Sequence, residues 1–359
     1  IFSWILEEIV KRGFVDAETV FIDATHIKAS ANRKKRTKAL AQKTARSYDK
    51  QLRKEINEDR EKNGKKPFRD KDDDGDGTGD AGEQREVIVS TTDPESGLFH
   101  KGEHKIEFAY TTHVACDKNN FILGLEVTPG NVHDSLIFDQ VYDQVVERFP
   151  EVDTVVVDAG YKTPWICKKI IDDGRNPSMP YKRPMGKKGF FRSYEFVYDE
   201  YYNCVICPNN QVLPYVTTTR EGYRQFKSDP NVCRSCPDLS CCTESRVHQK
   251  VVQKHIWEDY LEKAEDFRHS AKGKATYTMR GETIERVFAD AKEKHGMRYT
   301  HHRGLARVTN WVRLKFAAMN LKKLAMWAFK NGLSPSFFAR IHVRRQKWAL
   351  FLFETMPFL

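Results

Sequence analysis

Four carboxylates lie within one short basic segment, residues 280–294, which reads RGETIERVFADAKEK. Wound as a helix at about 100° per residue, the segment has an apolar stripe at positions i, i+3, i+4 and i+7. The stripe consists of Ile284, Val287, Phe288 and Ala291. Glu285 and Lys292 fall about 100° and about 80° from Ile284, beside the stripe. The acids predicted to face water are Glu282, Asp290 and Glu293.

Glu285 and Lys292 are therefore expected at the margin of the core, and this position has two interpretations. Either their alkyl stems pack and their charged ends reach water, or Glu285 serves a chemical purpose that justifies a charge there. The helix alone favours the first interpretation, and two acids elsewhere in the chain favour the second.

Asp23 and Asp158 occupy unusual places for carboxylates. Asp23 lies within TVFIDATHIKAS (19–30), an apolar strand pattern, and Asp158 ends the apolar run of DTVVVDAGY (153–161). Taken singly, each is explained well as a capping or turn-forming aspartate. Two Asp and one Glu that converge can also hold two Mg²⁺ (or Mn²⁺) ions, with open positions for phosphate oxygens and water. Asp23, Asp158 and Glu285 together indicate phosphoryl transfer on DNA.

Six of the eight cysteines lie between residues 204 and 242, and two pairs have CxxC spacing. Paired CxxC motifs predict a tetrahedral zinc site, with reduced structural cysteines as the alternative. The zinc candidates are Cys204, Cys207, Cys233, Cys236 and Cys242, and the spacing leaves open which four bind.

The chain has 359 residues and a net charge of +10, which favours a polyanionic partner, nucleic acid before membrane. No apolar run approaches the roughly 18 residues of a membrane span. The absence of a signal peptide pattern and the CxxC pairs predict a cytoplasmic protein. The basic run 32–38, which includes Arg33, Lys34 and Lys35, is either a solvated charge run or a contact for the DNA backbone.

The pattern of elements predicts an α/β protein with a mixed sheet. We expect a helix at 1–14, a strand at 19–30, a hairpin of 106–117 with 121–129, a helix at 135–149 with Asp134 as N-cap, and a parallel strand at 153–161. His133, in NVHDS, is expected to be a structural hydrogen-bonding residue rather than a catalytic one.

The predicted domain boundaries separate two parts of a catalytic domain. The first part is 1–175 and contains an exposed basic arm and an acidic linker at 31–85. The second part is 271–330, with a β-rich, cysteine-bearing insertion at 176–270 before it and a tail at 331–359 after it. Within the linker, 72–83 has calcium-loop spacing, but Gly79 and the strand-like REVIVS that follows favour a plain acidic linker.

Several motifs resemble bacterial insertion-sequence transposases with a DDE catalytic domain. They are DATHIKASAN, STTDPESGLF, AYTTHVACD, TPGNVHDS, DAGY and ETIERVFADAKEKHGMRYTHHRGL, with NLKKL further on. The resemblance implies an RNase H-like fold, with Asp23, Asp158 and Glu285 as the metal-binding triad. It also implies a zinc-ribbon-like insertion, with zinc most often held by Cys207, Cys233, Cys236 and Cys242, and a DNA-binding helical region upstream of Ile1.

The family signature Y-(2)-R-(3)-E-(6)-K matches Tyr277, Arg280, Glu285 and Lys292, except that four residues separate Arg280 from Glu285. The resemblance implies that Tyr277, Arg280 and Lys292 grip the DNA end. Arg303 is a further candidate contact, at the start of a basic helix.

The expected function is a transposase that binds terminal inverted repeats, hydrolyses the 3′ ends with Mg²⁺ and joins them to target DNA. A homodimer that holds two ends and a nucleoid-associated location when bound to DNA are also expected. The alternatives are a catalytically silent or domesticated zinc-containing DNA-binding protein, and a metal-dependent nuclease without strand transfer.

Overall fold

The computed structural model describes residues 1–42, 47–69, 84–101, 105–183 and 186–332. One sheet comprises β1 (Thr19–Lys28), β2 (Arg36–Gln42), β3 (Gln84–Ser90), β4 (Gly97–Lys101), β5 (Lys105–Asp117), β6 (Ile122–Pro129), β7 (Thr154–Val157) and β8 (Asn176–Ser178). The other comprises β9 (Val197–Asp199), β10 (Cys204–Ile206), β11 (Val212–Thr218), β12 (Tyr223–Lys227) and β13 (Val251–His255).

The helices surround these sheets. They are α1 (Phe2–Lys11), α2 (Asp49–Lys62), α3 (Phe138–Arg148), α4 (Pro164–Asp172), α5 (Pro230–Arg234), α6 (Leu239–Cys242), α7 (Glu258–His269), α8 (Ala271–Thr278), α9 (Ile284–Lys294) and α10 (Leu305–Lys330). The acidic stretch 72–83 and residues 333–359 of the tail lie outside the described ranges.

The first sheet is mixed, as the sequence predicts. Its order is β2-β3-β4-β5-β1-β7-β8, and β6 pairs with the same long strand β5. β1 runs antiparallel to β5 and parallel to β7, and α3 lies on the crossover that leads into β7. The predicted hairpin of β5 and β6 and the predicted parallel strand β7 are both confirmed.

Helices cover both faces of this sheet because strand side chains alternate between them. Val20 and Ile22 of β1 point into a core with residues of α1, α3 and α4, while Phe21 and Ile27 point into a second core with α9 and α10. The stripe predicted for α9 is confirmed, since all four of its residues are at most 8% exposed. This α/β arrangement fits an RNase H-like domain.

The basic arm predicted within 31–85 is exposed at residues 33–38, but it also contributes a strand and a helix to the fold. β2 pairs with β3 at the edge of the main sheet, and Leu52 and Ile56 of α2 are buried beside Trp257. Two apolar residues four apart are enough to dock one face of an otherwise polar helix. Asp59, buried next to them, pairs with Arg224 at 2.6 Å.

The second sheet is small, with five strands in the order β13-β12-β11-β10-β9. Its buried core has four side chains, Phe196, Val205, Leu213 and Phe226. It lies inside the range predicted for the insertion, 176–270. Within that range, β8 pairs with β7 of the main sheet.

Candidate active site

Asp23 and Asp158 lie next to one another on neighbouring parallel strands, Asp23 in the middle of β1 and Asp158 immediately after β7. The register aligns Ile22 with Val157, so the next residue along each strand is one of the two aspartates. Asp23 follows the side-chain direction of Phe21, into the core that α9 covers. The sheet therefore places two carboxylates side by side beneath one helix, as the sequence predicts.

Local backbone bonds fix each carboxylate. Asp23 Oδ1 accepts a hydrogen bond from Ala24 N at 2.8 Å, and Asp158 Oδ1 accepts one from Gly160 N at 2.7 Å. A Cβ at Gly160 would stand only 3.0 Å from Asp158 Oδ1. Glycine in DAGY thus lets the chain turn closely around the Asp158 carboxylate.

Arg280 forms an ion pair with Asp23, and both side chains are almost buried, at 12% and 13% exposed. Burial raises the pKa of Asp23, the guanidinium opposes this, and the nearby charge of Asp158 adds to the rise. The Arg280 Nε atom is buried without a hydrogen-bond partner among the described residues. The site therefore holds an arginine whose hydrogen-bonding capacity is only partly used.

Asp134, which the sequence predicts to be the N-cap of α3, is a third carboxylate near this pair. The predicted N-cap function is wrong, because the side chain of His133 accepts the hydrogen bond from Ser135 N and caps the 3₁₀ turn Asp134–Leu136 that precedes α3. Burial raises the pKa of Asp134 to about 6, and the charges of Asp158 and Asp23 contribute. These three aspartates therefore repel one another.

The sequence predicts the hairpin of β5 and β6, whereas the pairing of β1 with β5, which is also needed to place Asp134, comes only from the structure. β6 and β1 both run antiparallel to β5 and so run parallel to each other. The residues that follow β6 therefore emerge at the same end of the sheet as Asp23 and Asp158.

Two buried polar side chains border the acids. Tyr161 is 1% exposed, and its hydroxyl has no hydrogen-bond partner in the described part of the chain. Burial, followed by the charges of Asp134, Asp23 and Asp158, raises the pKa of this hydroxyl. The Nδ1 atom of buried His113 stands 3.7 Å from Asp134 Oδ1. Burial and then the neighbouring His26 lower the pKa of His113 to about 3, so His113 is neutral near pH 7.

Glu285 lies in the first turn of α9, and its side chain is exposed, as are those of Glu282 and Glu293. The expectation that Glu285, unlike Glu282 and Glu293, lies at the core margin is therefore wrong in this structure. The stripe that begins at Ile284 packs inward, and a side chain about 100° around the helix from Ile284 is left uncovered. Lys292, two turns further on, is half-buried.

Among the residues of the family signature, Tyr277 and Arg280 come closest to the acid pair. Tyr277 packs at the edge of the core beneath α9, and its hydroxyl interacts with Arg280. Arg280 in turn contacts Asp23. The structure thus brings Asp23, Asp158, Tyr277 and Arg280 together and leaves Glu285 on the solvent side of α9.

The candidate DNA contacts outside the signature lie on one surface. Arg33, Lys34 and Lys35 are exposed in the loop between β1 and β2, and Arg303 Nε donates to Ser30 O at 2.9 Å beside that loop. The loop is held in shape, since Asn32 Oδ1 accepts from Lys34 N at 2.9 Å. These four cations form a basic surface next to the end of β1.

Two carboxylates of the motif STTDPESGLF cap the start of α10. Asp93 Oδ1 accepts a hydrogen bond from Gly304 N at 3.1 Å, and Glu95 Oε2 accepts one from Leu305 N at 2.6 Å. Two carboxylates from a distant loop thus cap α10 and fix Arg303 immediately before it.

The five cysteines predicted as zinc candidates fall into two places. Cys204 is 7% exposed within β10, while Cys207, Cys233 and Cys236 lie close enough to Cys242 for their charges to act on it. Burial raises the pKa of the Cys242 thiol, Lys250 opposes this, and the three cysteines add to it. Thiols are the chemistry that zinc prefers.

No group of three or more possible metal ligands is already arranged around one point in the described ranges, at the acids or at the cysteines. The prediction of a zinc-ribbon insertion therefore has no support from the arrangement of the thiols. The acids still fit a magnesium site by their chemistry, because Asp23 and Asp158 offer hard oxygen donors whose mutual repulsion a divalent cation would relieve.

A comparison with protein families gives one match. A model described as a transposase DDE domain matches residues 206–325, about a third of the chain. The matched range includes Arg280, Glu285 and Lys292 and leaves out Asp23 and Asp158. No curated protein and no solved structure gives a significant match.

The match supports a transposase, an enzyme that processes nucleic acid, and implies DNA as a partner. Transposase DDE domains generally use a divalent metal. None of the helices in the described ranges is both long and apolar enough to span a membrane.

Proposed function

We propose that this protein is a DDE transposase that binds the terminal inverted repeats of an insertion sequence, cleaves their 3′ ends and joins them to target DNA. The observation that carries the proposal is the adjacent pair Asp23 and Asp158, on neighbouring parallel strands of a mixed sheet and beneath the helix that bears Glu285. The family match, which covers that helix, supports the same conclusion.

Asp23, Asp158 and Glu285 are the proposed ligands for Mg²⁺ or Mn²⁺. Bound metal would lower the pKa of the attacking water or 3′-hydroxyl and stabilise the leaving oxygen. Asp23 and Asp158 are already oriented by their backbone bonds, whereas Glu285 must turn inward on α9 to join them. This requirement makes Glu285 the residue that depends most on bound DNA or metal.

The basic surface of Arg33, Lys34, Lys35 and Arg303 is the proposed seat of the DNA backbone, because it lies beside the end of the strand that carries Asp23. Lys292, Tyr277 and Arg280 are proposed to contact the DNA end nearer the acids. We expect two copies of the chain to hold the two ends of the element, as a homodimer.

We also propose that Cys207, Cys233, Cys236 and Cys242 form a structural zinc site once metal draws the thiols together. The charge coupling of the other three to Cys242 supports this set over one that includes Cys204, which lies within β10. Metal binding and local folding are commonly coupled in small domains with little core.

Joining of a pre-cut end of the encoding element to plasmid DNA tests the proposed function. A transposase joins the end in the presence of Mg²⁺. A nuclease cuts the DNA without joining it, and a silent DNA-binding protein only retains it. Either of the last two results would overturn strand transfer.

The basic surface is tested separately by the salt dependence of DNA-end binding. The log–log slope should be about −0.9 for each phosphate neutralised. A slope near zero would contradict the assignment of phosphate contacts to these cations.

A further inference from the structure

Asp134 is a partly buried carboxylate with little to compensate its charge. Its side chain is 30% exposed, and its one ion pair within the described ranges is the 3.7 Å approach to His113 Nδ1. That distance exceeds a hydrogen bond, and buried His113 carries no charge near pH 7. Asp134 thus lacks a cation of its own.

The surroundings of Asp134 also contain polar groups without partners. The Tyr161 hydroxyl, almost completely buried beside Asp134, Asp23 and Asp158, has no hydrogen-bond partner among the described residues. His113 Nδ1 is in the same condition. Buried polar groups are rarely left unpaired in proteins, so several such atoms around one cluster of acids indicate that a polar ligand belongs there.

The charges of the cluster point to the nature of that ligand. His113, which Asp134 approaches, is in register with Ala24, the neighbour of Asp23. The three carboxylates of this cluster, Asp23, Asp134 and Asp158, are accompanied by one guanidinium, that of Arg280, which pairs with Asp23. The formal charge of the four groups is therefore about −2. A divalent cation would neutralise this charge, and carboxylate oxygens are the ligands that such cations prefer.

We propose that Asp134 is a further ligand of the divalent cation held by Asp23 and Asp158, either directly or through one water molecule. The inference rests on the proposed function, because it assigns a residue to the same cation site. Asp134 would join this site from the turn before α3, between Asp23 and Asp158 in the sequence, whereas Glu285 would have to turn inward from α9.

Manganese binding without DNA tests the inference. Mn²⁺ titrations followed by electron paramagnetic resonance are carried out on the wild-type chain and on Asp134→Asn, which preserves the size of the side chain. We expect Asp134→Asn to weaken Mn²⁺ binding by about tenfold or more, as losses of metal-supporting residues commonly do. Asp143→Asn, on the exposed face of α3, is the matched control and should bind Mn²⁺ as the wild type does.

The outcomes distinguish a failure of the role of Asp134 from a failure of the proposed cation site. If Asp158→Asn weakens Mn²⁺ binding and Asp134→Asn does not, the role of Asp134 is overturned while the proposed function stands. If neither substitution changes Mn²⁺ binding, both the role of Asp134 and the proposed cation site fail.

A second measurement uses the wild-type chain alone and so does not depend on the folding of a variant. Fe²⁺ bound to the wild-type chain, with ascorbate and peroxide, cleaves the backbone next to its ligands. We expect cleavage near residues 23, 134 and 158. Cleavage near 23 and 158 without any near 134 would overturn the inference.

Discussion

The acid cluster of the main sheet and the cysteine cluster of the second sheet are held by very different amounts of structure. Asp23 and Asp158 extend from strands that are buried on both faces and paired along their length. Cys233 and Cys242 lie on helices of five and four residues beside a core of only four buried side chains. Both clusters offer ligands for a metal, and only the first has a rigid frame.

This difference shows what fixes a ligand in place before the metal arrives. Strand register aligns side chains from distant parts of the chain, and the energy of a large core maintains it. Short helices cannot do this, so the proposed zinc ion would have to draw the thiols into their final positions. We therefore expect metal removal to leave the acid cluster in place and to loosen the cysteine cluster.

The largest expected effect concerns the acids. Asp23→Asn, Asp158→Asn and Glu285→Gln should each lower Mg²⁺-dependent cleavage and joining by about 10³-fold or more, because each removes a charge that holds the cation. DNA-end binding should survive in a gel-shift assay, since Lys and Arg side chains provide it. Glu282→Gln, in the turn just before α9, is the control and should remain active. If Glu285→Gln is active and Glu282→Gln is inactive, the assignment of Glu285 as the third acid is wrong.

The zinc content of the protein tests the metal site proposed for the cysteine cluster. Protein expressed with zinc supplied should contain about one zinc per chain, and Cys207→Ser should lose it by elemental analysis. Cys204→Ser should keep it, because Cys204 is buried within β10 and is not among the cysteines whose charges act on Cys242. Chelation should loosen residues 200–245 in hydrogen exchange and leave β1 and β7 protected. A wild-type chain without zinc would contradict the proposed zinc site of the cysteine cluster.

The pH dependence of stability measures the repulsion within the acid cluster. The pKa of Asp134 is raised by folding from 3.8 to about 6, so the folded chain binds more protons than the unfolded chain in this interval. Without metal, the free energy of unfolding should therefore fall as pH rises from about 4 to about 6. Asp134→Asn should remove roughly 2 kcal/mol of this fall in urea titrations with chelator present. If the free energy of unfolding falls equally with pH in the wild type and in Asp134→Asn, folding does not raise the pKa of Asp134.

The smallest expected effect concerns Arg280, which neutralises Asp23 in the metal-free chain. Arg280→Gln should tighten Mn²⁺ binding by about tenfold, because the guanidinium no longer competes for the carboxylate. Arg286→Gln, exposed on α9, is the control and should bind Mn²⁺ with wild-type affinity. Weaker Mn²⁺ binding by Arg280→Gln would show that Arg280 supports the cation site instead.

Much of the sheet and half of the site could be predicted from the sequence, because periodic patterns report local burial. The stripe of α9 and the apolar run before Asp158 carry this information within a few residues. Asp134 was missed because its position depends on the direction of β6 relative to β1, which involves three strands. The docking of α2 was missed because Leu52 and Ile56 find their partner, Trp257, about two hundred residues away.

The capping of α10 has a consequence for how DNA can approach this helix. An uncapped helix start carries a partial positive charge from its free N–H groups and attracts phosphate. Here Asp93 and Glu95 already accept the hydrogen bonds of Gly304 N and Leu305 N, so two carboxylates of the protein itself oppose the positive end of α10. A DNA strand that runs along α10 would therefore be attracted by the Lys and Arg side chains of the helix and not by its N-terminal end. Those side chains would contact phosphates as separate charges at positions fixed by the helix.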